Sequence, residues 1–187
     1  MNPLAADVVL FHPGVLLASL GSLALLLSLA LVCDTRSHSV PNTIVYGGAA
    51  LGVLLHALLP EGLGFASREP GGLGAVAAIA GFVTGVATFL PLYLMRATGP
   101  GDVKLVGMVG AFLGPADTVG VVLLTFLLGA LLTIAVPATI GVLARLAHTG
   151  RLPQAADAES RQIAPAPRVS YVMAITLATG GWLLLKG

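Results

Sequence analysis

Long apolar stretches separated by short polar ones organise this chain. Gly14 to Cys33 carries no charge, and it meets the length of about 20 residues that a membrane-crossing helix needs. A polar break follows, Asp34-Thr35-Arg36-Ser37-His38-Ser39, closed by Val40-Pro41-Asn42. Proline disfavours helix at the residue before it, so the helix path is expected to be interrupted here. Thr43 to Leu59 is the second apolar stretch, and residues 61–71, with Glu61, Arg68 and Glu69, read as a polar loop. Gly72 to Met95 is the third, ended by Arg96. The fourth, Val103 to Leu113, has eleven residues. At about 1.5 Å per residue it covers roughly half the hydrocarbon thickness. It is either a short helix or one whose first turn includes the preceding Gly99-Pro100-Gly101-Asp102. Thr118 to about Leu143 is the fifth stretch and Val169 to Leu185 the last. Between them, residues 145–168 hold Arg145, Arg151, Asp157, Glu159, Arg161 and Arg168 with three prolines, and read as a soluble loop. No repeat or second domain is evident. The expectation is an all-α polytopic membrane protein, a single domain over residues 1–187 with six transmembrane helices, the fourth short.

Composition supports that class. The chain is 57% hydrophobic and 9% charged, with a mean hydropathy of +0.99, which excludes an ordinary soluble domain. Its 24 glycines fit closely packed membrane helices. A net charge of +1 gives no support to nucleic-acid binding. The single cysteine, Cys33, excludes an internal disulfide framework and a multi-cysteine zinc site, and reads as a small buried hydrophobe. No lysine or arginine occurs before Asp34, so the positive start of a secretory signal is missing and the first span is expected to remain as an anchor.

The positive-inside rule then orients the spans. With the N-terminus outside, Arg36, Arg96, Lys104, Arg145, Arg151, Arg161 and Arg168 are cytoplasmic, leaving only Arg68 and Lys186 outside, a seven-to-two split. Five spans would place the 145–168 loop, with its four arginines, on the other side. In the six-span topology Asp34 ends the first span and Asp102 begins the fourth, both at the cytoplasmic level. The remaining carboxylates, Asp117 included, fall in loops or in the N-terminal segment.

Two aspartates close together cannot both ionise readily, so they share a proton. The ionised member can take a proton from water while the protonated member polarises a carbonyl, which is the chemistry of aspartic proteases. Glycines at 99 and 101 would let a substrate strand approach the backbone closely. Lys104 would either tune the charge of the pair or hold a helix end. Other readings stay open on spacing alone. Asp102 could be a helix cap, Asp34 and Arg36 an interfacial ion pair, and the two aspartates an ion- or proton-translocating pair. His12, His38, His56 and His148 are scattered, with no pair four residues apart, so no metal site is expected. Ser19, Ser22 and Ser28 recur on the first span without a base to activate them and read as packing residues. Gly99-Pro100-Gly101 lacks the ending of a phosphate loop.

The segment Gly99-Pro100-Gly101-Asp102-Val103-Lys104-Leu105, followed by Gly107, Gly110 and Phe112-Leu113-Gly114, resembles the GxGD motif of type IV prepilin peptidases. Asp34-Thr35-Arg36 with Val40-Pro41-Asn42 resembles the family's first motif, and Ala164-Pro165-Ala166-Pro167 is a weaker match near its C-terminus. The two main motifs lie 68 residues apart in the family's order, Asp34 to Asp102. The resemblance implies a membrane aspartic endopeptidase that cleaves the short basic leader of pilin-like precursors at the cytoplasmic face, after a glycine preceding an apolar helix. By position, Asp34 and Asp102 would be catalytic. Gly99, Gly101, Lys104, Arg36, Pro41 and Asn42 would support the motifs or the substrate. No cofactor is implied, and the partners would be a prepilin and membrane lipid. Larger members carry an N-terminal region with paired cysteines and also methylate the product. Here residues 1–13 precede the first span and Cys33 is alone, so the chain resembles the compact enzymes of Flp/Tad pilus systems and methyl transfer is not expected. The competing expectations are a transporter using the two aspartates, or an inactive pilus-assembly scaffold.

Overall fold

The computed structural model describes residues 3–37, 39–59, 72–147 and 171–186. Among them are six α-helices and no strand: α1 (Pro3–Ser37), α2 (Asn42–Leu58), α3 (Ala75–Leu94), α4 (Pro100–Leu113), α5 (Pro115–Ala147) and α6 (Tyr171–Lys186). Three carry stretches long and apolar enough to cross a membrane: Ala18–Ser37, Ala75–Leu94 and Pro115–Ala135. Helices α2 and α6 are shorter but apolar. Large aliphatic side chains such as Leu25, Leu54, Ile79, Val83, Leu123, Leu127 and Leu131 point outward, as the surface of a membrane protein requires.

The short helix is the centre of the bundle. Helix α4 touches every other helix, and each residue from Leu105 to Gly114 is buried. A helix apolar on all sides belongs in a core. Its 14 residues give about 21 Å, less than the hydrocarbon thickness of about 30 Å, so it sits inside the bundle, sheathed by its neighbours. Small residues permit the approach. A Cβ on Gly81 would collide with the backbone of Gly110, and one on Gly85 would lie 2.6 Å from the Val106 carbonyl oxygen. Backbones in such contact maximise dispersion where lipid supplies no hydrophobic drive. Phe89 of α3 and Phe126 of α5 stack behind them, with ring centroids 5.1 Å apart.

Helix ends differ from the sequence expectation at several places, and α1 starts at Pro3, ahead of the expected Gly14. Helix α1 does not stop at Cys33: it runs to Ser37, because nothing in Asp34-Thr35-Arg36-Ser37 breaks a helix and the proline comes only at position 41. Asp117 is not in a loop but in the first turn of α5. Gly114, at φ 79°, turns the chain in a single residue, and Pro115 starts the next helix with its ring already set for that position. Arg145 is likewise helical, since α5 continues to Ala147. The fourth helix takes the second of its two expected forms, with the Gly-Pro-Gly-Asp segment in its first turn. The expected polar loop over 61–71 (with Glu61, Arg68 and Glu69), His38, His148, and the loop residues Arg151, Asp157, Glu159, Arg161, Pro165, Pro167 and Arg168 lie outside the described residues.

Hydrogen bonds fix which ends lie together. At one end, Lys104 of α4 reaches Asn42, the first residue of α2. At the other, buried His56 joins α2 to the C-terminal end of α4: its Nε2 is 2.9 Å from the Phe112 carbonyl oxygen. Its Nδ1 accepts the Leu73 N–H at 2.9 Å. Also at that end, Asp117 Oδ1 accepts from Lys186 Nζ and from Trp182 Nε1 at 3.3 Å, tying α5 to α6.

Candidate active site

The candidate residues gather where α1 ends and where α2 and α4 begin. Asp34 lies in the last helical stretch of α1, half-buried, with Thr35 and Arg36 exposed beside it. Residues two apart on a helix do not face each other, so the extension of α1 turns Arg36 away from Asp34 and counts against the simple ion-pair reading. Pro41 is the N-cap of α2, extended at φ −60° and ψ 133°, and its carbonyl accepts the Ile44 N–H at 3.1 Å. It sets the corner between α1 and α2.

The second motif is built from the end of α3. Arg96 takes a φ of 59°, and its N–H and that of Ala97 donate to Tyr93 and Leu92 carbonyls at 2.9 Å. This is the Schellman closure, here with an arginine at the left-handed position usually given to glycine. The chain then runs through Thr98, whose buried hydroxyl has no hydrogen-bond partner among the described residues, to Gly99, the N-cap of α4. Asp102 is therefore not itself the N-cap. It sits three residues on, and its Oδ2 accepts the Gly99 N–H at 3.0 Å, the reach-back half of a capping box.

Asp102 lies ahead of the apolar run of α4 and outside the membrane-crossing stretches. Its carboxyl is pushed above the ordinary carboxylate range, first by burial, which penalises the charged form, and further by the negative charge of Asp34; the Gly99 hydrogen bond opposes both. The two carboxylates therefore feel each other across 68 residues of sequence. Lys104 does not turn to Asp102. Its Nζ donates to Asn42 Oδ1 at 3.1 Å and stands 5.4 Å from the centre of the Tyr46 ring.

The motif glycines are not explained by folding. Gly99 has an ordinary φ of −82°, and a Cβ on Gly101 would meet nothing within 4 Å. Their bareness leaves the backbone open beside Asp102. The structure thus brings Asp34 near Asp102, and joins Lys104 to Asn42 at the corner set by Pro41. Arg36 has no described role. Sequence reading missed Tyr46 and Thr98; Tyr46 was findable, one helical turn after Asn42 and hence on its face. Among the described residues no cluster of histidine, cysteine or carboxylate could hold a metal, and His56 is committed to backbone partners.

A family model described as the type IV leader peptidase family matches residues 21–134, an interval that contains both motifs. No curated protein and no solved structure matches the chain.

Proposed function

The chain belongs to the type IV leader peptidase family, and from that premise we propose that it is a membrane aspartic endopeptidase whose catalytic pair is Asp34 and Asp102. Its substrate is a prepilin of the Flp type, cut between a short basic leader and the apolar helix that follows. Six crossings with the N-terminus outside put the pair at the cytoplasmic face of the inner membrane, where the leader emerges.

In this reading Asp102 is the protonated member and Asp34 the ionised one. Asp34 takes a proton from a water molecule as the water oxygen attacks the scissile carbonyl carbon. Asp102 donates its hydrogen bond to the carbonyl oxygen, stabilising the charge that develops there. Collapse of the tetrahedral intermediate breaks the C–N bond, and the proton held on Asp34 passes to the leaving amine. Asp102 keeps its proton and the pair is restored. The open backbone at Gly99 and Gly101 is where the extended substrate would lie. Membrane lipid and the acidic residues Asp157 and Glu159 are candidate partners for the basic leader.

The observation that carries the proposal is the family match over residues 21–134, an interval that holds both Asp34 and Asp102. The family assignment does not favour the transporter or scaffold readings. The test is replacement of Asp34 or Asp102 by asparagine in the full chain in membranes, following precursor processing with insertion checked separately. Loss of cleavage with normal insertion is expected in both. Cleavage that survives in either variant removes the pair from the mechanism.

A further inference from the structure

Asp34 and Asp102 sit on helices that also pack through the shared core, α1 by Leu23, Leu27 and Ala30. Helix α1 meets α4 only sparingly, whereas α2 lies along α4 extensively. The short corner Ser39-Val40-Pro41 joins the end of α1, just after Asp34, to the start of α2. At the far end α2 is fixed to α4 by the bond between His56 and Phe112. At the near end the polar tie is Lys104, whose ammonium holds Asn42 Oδ1 at 3.1 Å. The same ammonium lies 5.4 Å from the Tyr46 ring centre, close enough for a cation–π attraction. Asn42 and Tyr46 are four residues apart and share one face of α2, so one lysine grips two successive turns. Lys104 is two residues after Asp102, a spacing that points the side chains to different sides of α4. Lys104 addresses α2, while Asp102 Oδ2 accepts the Gly99 N–H.

We propose that Lys104 is a positioning residue: by holding Asn42 and the Tyr46 face it fixes the corner between α1 and α2, and so brings Asp34 against Asp102. This rests on the aspartate pair being catalytic. It differs from direct tuning of Asp102 by the lysine charge, because a strut acts through its partners on α2, so removing Asn42 should cost catalysis as removing Lys104 does.

The experiment uses the full chain in lipid nanodiscs and a synthetic precursor peptide with a basic leader, a glycine and an apolar helix. Lys104→Met and Asn42→Leu should each lower kcat about tenfold, as loss of one charge-assisted hydrogen bond implies, with KM little changed. The double variant should be no worse than either single one, the signature of a shared interaction. Lys104→Arg, which keeps a charged donor, should retain most activity. A spin label on Cys33, the only cysteine, paired with one at Gly101→Cys, reports the corner directly, and their dipolar coupling should weaken in both single variants. Additive losses, a silent Asn42→Leu, or unchanged coupling would overturn the strut. If Asp34→Asn and Asp102→Asn are inactive while Lys104→Met matches the parent, the strut fails and the pair stands. If the aspartate variants cleave normally, the pair fails, and the spin labels still decide whether Lys104 holds the corner.

Discussion

The charge of Asp34, near the end of α1, raises the proton affinity of Asp102, in the first turn of α4. Burial is the larger cause and Asp34 the smaller. The proposed mechanism needs Asp102 protonated, so cleavage should fall as pH rises through its raised pKa, above the ordinary carboxylate range. Asp34→Asn removes only the smaller cause. The carboxyl stretch of Asp102, followed by infrared difference spectroscopy against Asp102→Asn, should titrate at lower pH in that variant yet remain above an ordinary aspartate. A midpoint unmoved by Asp34→Asn would mean that the two groups are not coupled. Stability carries its own sign. The folded chain holds this proton more tightly than the unfolded one, so the contribution is full below the ordinary value and is lost as pH rises through the raised one.

Two glycines should respond in opposite ways to the same methyl group. Gly101 is helical, with nothing near its missing Cβ, so Gly101→Ala should stabilise the fold by about 0.5–1 kcal/mol. It should also lower kcat/KM, because the methyl occupies the open side beside Asp102. Gly81→Ala drives a Cβ into the Gly110 backbone and forces α3 off α4, at a cost of about 1–3 kcal/mol or more. Denaturant titration alongside peptide cleavage separates the two, and Gly101→Ala with full activity would leave the motif glycine without a catalytic purpose.

The long apolar runs made all six helices legible, the short fourth included, because length and apolar character are properties of a contiguous segment. The GxGD segment was legible as chemistry through its likeness to a known motif. What stayed hidden depended on neighbours. The Asp34-Thr35-Arg36-Ser37 stretch looked like a break, but polar residues at a membrane surface can continue a helix, and α1 does so. Asp117 looked like a loop residue behind Gly114-Pro115, yet a one-residue turn returned it to helix, where Lys186 and Trp182 meet it. That α4 is the buried axis of the bundle, and that Lys104 faces Asn42 and not Asp102, are facts of three-dimensional packing that no local pattern encodes.

His56 should behave as a neutral structural residue. Its Nδ1 accepts the Leu73 N–H, so the proton sits on Nε2 and is donated to the Phe112 carbonyl. Nitrogen NMR should show this tautomer. His56→Leu would strip the partner from a buried N–H and from a helix-end carbonyl, at about 1–3 kcal/mol for each unsatisfied group. Chemical denaturation should show that loss; a cost below about 1 kcal/mol would mean that the bonds are replaced.

Asp117 gives the last prediction, at the end of the bundle away from the candidate site. It is buried at the start of α5 and accepts from both Lys186 and Trp182. The first turn of a helix favours a negative charge, so Asp117 is stabilised from both sides. The side chain of Lys186 is 40% exposed. Water therefore screens part of the attraction, and Asp117→Ala should cost about 1–2 kcal/mol, below the 3–5 of a fully buried pair. Asp117→Asn keeps an oxygen for the indole N–H and should cost less. Trp182 is the only tryptophan, so its fluorescence reads the site without labelling, and the emission should shift more in Asp117→Ala than in Asp117→Asn. Because Asp117, at the start of α5, lies at the end of α4 away from Asp102, cleavage by folded Asp117→Asn should stay within about twofold of the parent. A large loss of kcat without a change in stability would mean that this far cluster takes part in the reaction, which the geometry gives no reason to expect.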